Sequence, residues 1–392
     1  MMPHLSTACM PPPVDPGPAA LAHSRRLMTR IRNEITSSGG WISFARYMEL
    51  ALYAPGLGYY SAGARKFGAG GDFVTAPELT PLFGRALARQ AAQVLRAAGG
   101  DILELGPGSG RLALDLLTAL EALDCLPEHY FMLEVSADLR ARQADLFRRR
   151  APQLLPRLSW LDALPAGHTG LVLGNEVLDA LPVHRIHWRT DGPVEQGVAV
   201  DDAGGFVWRD HPLPPGPLLD AARSLDVPTA YVSEIGLAVT ALVASLAERL
   251  TRGVLLFLDY GFPRHEYYHP QRQGGTLMCH HRHRAHDDPF RLPGLTDLTA
   301  HVDFTAVAEA GHAAGLSLLG YTDQARFLVN CGLLELVQAQ EPGTPEYHRA
   351  AAAVHKLLQP SEMGELVKAI ALGRGVAAPL LGFEVGDRSG RL

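Results

Sequence analysis

Three polar residues stand close together in the segment NEVLDALP at 175–182: the amide Asn175 and the acids Glu176 and Asp179. They follow an apolar run, GLVLG, which predicts a buried strand. Open parallel sheets bind ligands outside the carboxyl ends of their strands, and this segment lies at such an end. Acids placed there can orient a substrate and take a proton from it. We therefore predict that Asn175, Glu176 and Asp179 contact the substrate, although the spacing agrees equally well with Asn175 and Asp179 capping a following helix.

A glycine-rich loop, ELGPGSG at 104–110, follows the apolar run DILEL and opens a helical stretch. Glycines at such a turn let the backbone bend sharply and let a ligand approach closely. A dinucleotide fingerprint needs a third glycine at position 111, where this chain has an arginine, and the spacing therefore argues against NAD. We predict cofactor contacts at Glu104, Gly106, Gly108 and Gly110, with a tight turn in some other α/β enzyme as the alternative.

Two further acids end neighbouring apolar runs. Glu134 ends YFMLE, where a carboxylate can accept hydrogen bonds from both hydroxyls of a ribose. Asp162 ends the shorter run LSWLD, from which an acceptor can reach the exocyclic amine of an adenine. Together with the glycine loop, Glu134 and Asp162 predict a cofactor that contains a nucleoside.

The segment GDFVTAPE at 71–78 precedes the glycine loop. It is typical of a helix start, with Thr75 as the cap and Pro77 in the first turn. Its place before the nucleotide loop also agrees with a lid over the site. We count Thr75 and Pro77 among the candidate cofactor contacts.

A histidine-rich segment, CHHRHRAHDD at 279–288, raises the question of a metal site. The interleaved Arg282 and Arg284 would repel a cation, and no standard ligand spacing is present. We predict a polar loop beside the substrate and no bound metal.

The elements that would position these residues follow an α/β pattern. From residue 101, short apolar runs alternate with helical stretches, which indicates a parallel sheet with crossover helices. The predicted organisation is a disordered lead at 1–20, an N-terminal helical and lid segment at 21–98, a Rossmann-like domain at 99–185 and 231–381, a β-rich insertion at 186–230, and a flexible tail at 382–392.

Composition excludes several classes of protein. The 392 residues hold 35 Lys and Arg against 41 Asp and Glu, and no long basic run suggests a nucleic-acid partner. The cysteines are scattered, as expected of a reduced chain. The start lacks the pattern of a signal or transit peptide, and no apolar stretch approaches the roughly 20 residues of a membrane span. We predict a cytoplasmic protein without a membrane span.

Several long segments resemble the MidA-type methyltransferases. They are FARYMELALYAPGLGYYS, KFGAGGDFVTAPELTPLFG, ILELGPGSGRLA, NEVLDALPVHR and RHRAHDDPFRLPGLTDLTAHVDFT, so the resemblance spans nearly the whole chain after residue 25. It implies a seven-stranded fold that binds S-adenosyl-L-methionine. For the mitochondrial relatives it implies methylation of an arginine on a subunit of respiratory complex I.

The resemblance thus predicts a methyltransferase with a protein substrate, whose arginine would be oriented by Glu176 and Asp179. An assembly protein that keeps the cofactor site but acts by holding a partner subunit is the alternative. A nicotinamide-dependent oxidoreductase is disfavoured by the spacing of the glycine loop.

Overall fold

A computed structural model of the chain describes residues 16–61, 75–282, 284–377 and 379–392. The α-helices are α1 Pro18–Ser37, α2 Phe44–Tyr53, α3 Ala76–Leu79, α4 Pro81–Ala98, α5 Arg111–Ala122, α6 Ala137–Arg150, α7 Pro217–Ser224, α8 Leu237–Arg249, α9 Arg264–Tyr267, α10 Phe304–Ala313, α11 Gln324–Asn330, α12 Leu333–Gln338 and α13 Pro345–Leu358.

The strands are β1 Asp101–Leu105, β2 Tyr130–Leu133, β3 Leu158–Leu161, β4 His168–Asn175, β5 His184–Arg189, β6 Gly192–Val200, β7 Phe206–Pro212, β8 Tyr231–Ile235, β9 Leu250–Phe262, β10 Met278–His281, β11 Arg284–His286, β12 Asp297–Thr299, β13 Val302–Asp303, β14 Ser317–Asp323 and β15 Val367–Arg374.

The central sheet has the order β14-β15-β9-β4-β1-β2-β3, and the short β13 also pairs with β9. The strands from β9 to β3 run parallel, whereas β15 is antiparallel to both β9 and β14. The predicted Rossmann-like α/β fold is confirmed. The apolar runs predicted from the sequence are the parallel strands β1, β2, β3, β4 and β9.

Helices cover both faces of this sheet because each has one apolar side. Helix α5 buries Leu112, Leu116 and Leu120 at helical spacing in the main core, which it shares with α4. Helix α8 and helix α10 bury Val243 and Val307 in a separate apolar cluster that includes β9 residues such as Leu255. Because β1, β2 and β4 run parallel, their carboxyl ends lie at the same edge of this sheet.

The N-terminal helices and the insertion form a second core beside that edge. The stripe Leu27, Ile31 and Ile35 of α1 is buried together with Val198 of β6. The backbone of Ile42 exchanges two hydrogen bonds with Val198, at 3.0 and 2.8 Å. The insertion is thereby attached to the N-terminal segment.

The segment predicted as a β-rich insertion at 186–230 contains strands, and their sheet extends beyond those bounds. Strands β5 to β8 form a four-stranded antiparallel sheet in the order β7-β6-β5-β8. Since β8 pairs with β5 along its length, residues 231–235 belong to the insertion rather than to the central domain. Strands β10, β11 and β12 form a further three-stranded sheet.

The C-terminal segment packs against the core, so the prediction of a flexible tail from 382 is wrong. Phe383 is 3 % exposed and its ring lies 5.3 Å from that of Phe327. The carbonyl groups of Gly382 and Val385 accept hydrogen bonds from the Asn330 side chain, at 3.0 and 2.9 Å. Glycine and charge content suggested fraying, but the single buried aromatic anchors the segment.

Helix α1 begins at Pro18, inside the stretch predicted as a disordered lead; residues 1–15 lie outside the described residues. Over the part of the chain that the structure describes, no helix has the length and apolar character that crossing a membrane requires.

Candidate active site

A cavity of about 550 Å³ opens at the carboxyl edge of the central sheet. This volume is in the usual range of small-molecule sites. Most of the residues predicted for a site line it: Thr75, Pro77, Glu104, Gly106, Gly108, Glu134, Asn175, Glu176 and Asp179. The structure thus brings together segments that are up to about a hundred positions apart in the sequence.

The glycine loop turns tightly between β1 and α5. Gly106, Gly108 and Gly110 have φ values of 56°, 53° and 79°, a region that favours glycine. A Cβ on Gly106 would lie 3.2 Å from a methyl group of Val177, and one on Gly110 would lie 3.0 Å from the Gln143 side chain. Any larger residue would therefore be strained at these positions, and one at Gly106 would crowd Val177 in the cavity lining.

Glu104 and Glu134 stand on the two strand ends beside this loop. The hydroxyl of Tyr130 donates to Glu104 at 2.9 Å, and burial raises the pKa of Glu104 to about 8. Glu134 accepts from the backbone N–H of Ser136 at 2.8 Å. The Gln143 amide donates to the Gly108 carbonyl at 2.8 Å, which joins helix α6 to the loop.

Segment 75–79 lies against both the glycine loop and the acidic segment. The hydroxyl of Ser109 donates to Glu78, and the backbone N–H of Ala76 donates to Glu176 at 3.3 Å. Thr75 occupies the N-cap position of α3, but its side chain makes no capping hydrogen bond. The predicted motif residues 71–74 lie outside the described residues. Thr75 and Pro77 therefore form one wall of the cavity next to Glu176.

Glu176 has a strained backbone. Its φ is 53°, which a residue with a side chain adopts rarely and at a cost of about 1–3 kcal/mol. The Asn175 amide donates to Glu176 at 3.3 Å, while the Asn175 Oδ1 is buried and accepts no hydrogen bond from the described residues. Such strain and such an orphaned acceptor are features that cluster at functional sites.

Asp259, near the end of β9, holds the turn that follows β4. Its carboxylate accepts from the backbone N–H groups of Val177 and Leu178, at 2.9 and 2.7 Å. The chain then runs directly into β5, with no helix between Asn175 and His184. The alternative that Asn175 and Asp179 cap a following helix is therefore wrong.

The acids around this turn raise one another's pKa values. Burial, with Asp259 and Asp297 adding to it, raises the pKa of Glu176 to about 7. Burial and then the charges of Asp259 and Glu176 raise the pKa of Asp179 well above its ordinary value. Near neutral pH the Glu176 carboxyl is therefore close to its pKa, and a bound cation would favour its charged form.

Two predicted cofactor contacts do not line the cavity, Gly110 and Asp162. Gly110 is the N-cap residue of α5. The side chain of Asp162 is 92 % exposed and pairs with Arg140 at 2.7 Å. Strand β3 ends at Leu161, and the chain carries the next side chain out to solvent. Sequence reasoning placed Asp162 correctly at a strand end, but the direction of a side chain there depends on the turn that follows.

The histidine-rich segment is a β-hairpin made of β10 and β11 rather than a loop. His280 lines the cavity, whereas His281 bonds to the Leu295 carbonyl at 2.7 Å. Among the described residues no group of three His, Cys, Asp or Glu side chains could hold a metal, and His283 lies outside them. The absence of a metal stays a prediction.

Sequence reasoning missed part of the lining. These residues come from the N-terminal segment, from β9 and from the region around β12: Tyr53, Tyr60, Tyr260, Asp297 and His301. Burial and nearby positive charge lower the pKa of His301 to about 4, so its imidazole is neutral near pH 7. Most of them lie within segments that resemble the MidA-type proteins, and that was the only available signal.

The cradle fits an adenosine-containing cofactor. It combines glycines at which a side chain would intrude, a carboxylate at the end of β2, and a cavity of suitable size. Glu134 would bind the ribose hydroxyls, and Gly106 and Gly108 would let the cofactor approach the backbone.

Comparisons with known proteins agree with this fit. A family described as "Putative S-adenosyl-L-methionine-dependent methyltransferase" matches residues 86–322. A relative from Drosophila melanogaster, named "Protein arginine methyltransferase NDUFAF7 homolog, mitochondrial", is 31 % identical over 95 % of this chain and 92 % of its own. The Danio rerio protein arginine methyltransferase NDUFAF7 is 30 % identical over 87 % of this chain and 85 % of its own.

A solved structure is also similar throughout. A crystal structure of a protein from Burkholderia thailandensis bound to S-adenosyl-homocysteine is 51 % identical, with a TM-score of 0.94, and covers 97 % of this chain and 100 % of the other.

Proposed function

The chain belongs to this family of S-adenosyl-L-methionine-dependent methyltransferases, and we propose that its methyl acceptor is an arginine side chain of a protein. The observation that carries the proposal is the acidic lining of the cavity. Its described lining holds six carboxyl groups, those of Glu78, Glu104, Glu134, Glu176, Asp179 and Asp297, and no lysine or arginine. S-adenosylmethionine itself has one net positive charge, so the surplus of acids favours a second cation.

The acids divide between two ends of the cavity. Glu104 and Glu134 adjoin the glycine loop and so belong to the cofactor end. Glu176 and Asp179 adjoin the turn held by Asp259, which is the end we assign to the acceptor. A guanidinium there would pair with carboxylates and remove the electrostatic cost of burying them.

The number of hydrogen bonds that it can donate favours a guanidinium over other cations at the acceptor end of the cavity. Its N–H groups form a planar fork of five donors. Among the described residues the buried Asn175 Oδ1 has no donor, and the Asn175 amide lies next to the Glu176 carboxylate. One guanidinium could donate to both groups, which a single tetrahedral ammonium matches less well.

The same residues can manage the proton of the reaction. S-adenosylmethionine supplies an electrophilic methyl group. The acceptor nitrogen must lose a proton as it gains that methyl group. Glu176, whose pKa is raised to about 7, can receive the proton while Asp179 and Asn175 hold the guanidinium in line.

The test uses purified protein and S-adenosylmethionine labelled in its methyl group. The acceptor is an extract of cells from which the gene is deleted, and labelled proteins are hydrolysed to amino acids. We expect labelled methylarginine that disappears when S-adenosylhomocysteine is added in excess. Label confined to lysine or to small molecules, or tight binding of a partner without transfer, would refute the proposal.

The identity of the acceptor protein follows from resemblance alone. We propose a respiratory complex I subunit as the first acceptor to test. The relatives have "mitochondrial" in their names, while the cytoplasmic location expected for this chain stays a prediction.

A further inference from the structure

An aromatic and acidic wall lines the cavity together with the turn at 175–180. Tyr53 at the end of α2 and Tyr60 in the following turn stack with ring centroids 5.5 Å apart and planes 22° apart. Asp297 at the start of β12 is 2 % exposed. All three line the cavity, although Asp297 is more than two hundred positions from the two tyrosines in the sequence.

This wall is attached to the turn that carries Asp179. The hydroxyl of Tyr53 donates to the Ala180 carbonyl at 3.0 Å. The backbone N–H of Ala300, just after β12, donates to the Asp179 carbonyl at 2.9 Å. Hydrogen bonds to the adjacent residues Asp179 and Ala180 thus hold two separate segments at the acceptor end of the cavity.

The electrostatic effects agree with the observation that these groups line one cavity. The charge of Asp297 contributes to the raised pKa values of Tyr53 and Tyr60, and also to those of Glu176 and Asp179. Because such effects weaken with distance, they agree with Asp297 lining the same cavity as these four residues.

We propose that Tyr53, Tyr60 and Asp297 form the recognition half of the acceptor pocket and select a planar guanidinium over an ammonium. This inference rests on the proposed function. A guanidinium is flat, is weakly hydrated, and binds well against aromatic surface while its edge donates to carboxylates. An ammonium has no flat face and loses more hydration when it enters such a pocket.

The wall also explains why the methyltransferase domain has its additions. The central sheet supplies the cofactor end and the Asn175–Asp179 turn, but Tyr53, Tyr60 and Asp297 come from the N-terminal segment and the small sheet of β10 to β12. Both of these parts contribute to one buried cluster, in which Tyr47 of α2 and Leu298 of β12 take part. The additions therefore build the side of the cavity that meets the acceptor.

The first experiment needs no variant. Ethylguanidinium and ethylammonium are added separately, at equal concentrations, to the labelled transfer assay and as titrants to protein saturated with S-adenosylhomocysteine. We expect ethylguanidinium to bind and to compete with the protein acceptor at concentrations at which ethylammonium does neither. Equal binding of the two cations, or binding of neither, overturns the inference.

The second experiment removes the charge of the wall. Asp297→Asn keeps the shape of the side chain, and Asp287→Asn is the matched control because Asp287 is exposed on the neighbouring hairpin. We expect Asp297→Asn to raise the acceptor KM by about 10- to 100-fold, the usual scale for a lost charged hydrogen bond, and to remove the preference for ethylguanidinium. The affinity for S-adenosylhomocysteine should be unchanged in both variants, and this result would show that both variants fold.

The outcomes separate this inference from the function on which it rests. If the parent protein makes methylarginine but Asp297→Asn keeps the parent KM and cation preference, only the recognition wall is refuted. If the parent labels no arginine in any extract, the proposed function fails, and the binding titrations still report whether the pocket prefers guanidinium.

Discussion

Replacing Glu176 by glutamine should separate binding of the cofactor from transfer of the methyl group. Glutamine has the same shape and keeps an oxygen that can accept from the N–H of Ala76 and the amide of Asn175. It cannot pair with a cation or take its proton. We expect near-normal affinity for S-adenosylmethionine and a rate of transfer lowered by about 10²-fold or more, the scale of a positioned acid or base.

The same variant should make the protein more stable at alkaline pH. Burial raises the pKa of Glu176 from 4.5 to about 7, so its charged form is disfavoured in the folded chain. The parent therefore loses stability as the pH rises from 4.5 through about 7, by about 3 kcal/mol once the group is fully ionised. Glutamine has no such cost. The gain in free energy of unfolding should be largest above pH 8 and should shrink towards pH 4.5.

Three measurements on the same preparations test this reasoning. Calorimetry gives the affinity for S-adenosylmethionine, labelled transfer gives the rate, and urea unfolding at pH 5 and pH 8.5 gives the stability. Glu248→Gln is the control, because that side chain is 74 % exposed and lies outside the cavity. Transfer at the parent rate with normal cofactor affinity would show that Glu176 neither pairs with the acceptor nor accepts its proton.

The remaining predictions concern the cofactor cradle, the cofactor and the tail. Gly106→Val should abolish binding of S-adenosylhomocysteine, because a Cβ at φ 56° meets Val177 at 3.2 Å and intrudes on the cradle; unchanged affinity in calorimetry of a folded variant contradicts this. S-adenosylhomocysteine should raise the melting temperature in a concentration-dependent way, and NAD should not; a saturable shift with NAD speaks for a different cofactor. Phe383→Ala should lower the free energy of unfolding in urea by about 3–5 kcal/mol, since the ring is 3 % exposed beside Phe327; a loss below about 1 kcal/mol would mean that the tail is not anchored.

Local patterns were sufficient for the central fold and the cofactor end of the site. The apolar runs and helical stripes from residue 101 onward predicted the parallel strands, because burial on both faces of a sheet requires continuous apolar runs. The glycines at 106, 108 and 110 could also be interpreted from the sequence. A positive φ and the close approach of a ligand to the backbone restrict the residue type at each of these positions. The antiparallel strands β14 and β15 were anticipated only through the seven strands that the resemblance implies.

Side-chain direction and contacts between distant segments were decided only by the tertiary structure. Asp162 ends a strand as predicted, yet its carboxylate faces solvent and Arg140, because the turn after β3 sets its direction. Asn175 and Asp179 cap no helix, because Asp259 takes the N–H groups of the turn instead. The wall of Tyr53 and Asp297 joins positions more than two hundred residues apart. The sequence by itself therefore determined the helices and strands of the central domain and the glycine loop, because each depends on a few neighbouring residues. The acceptor end of the cavity forms only where packing brings separate segments together.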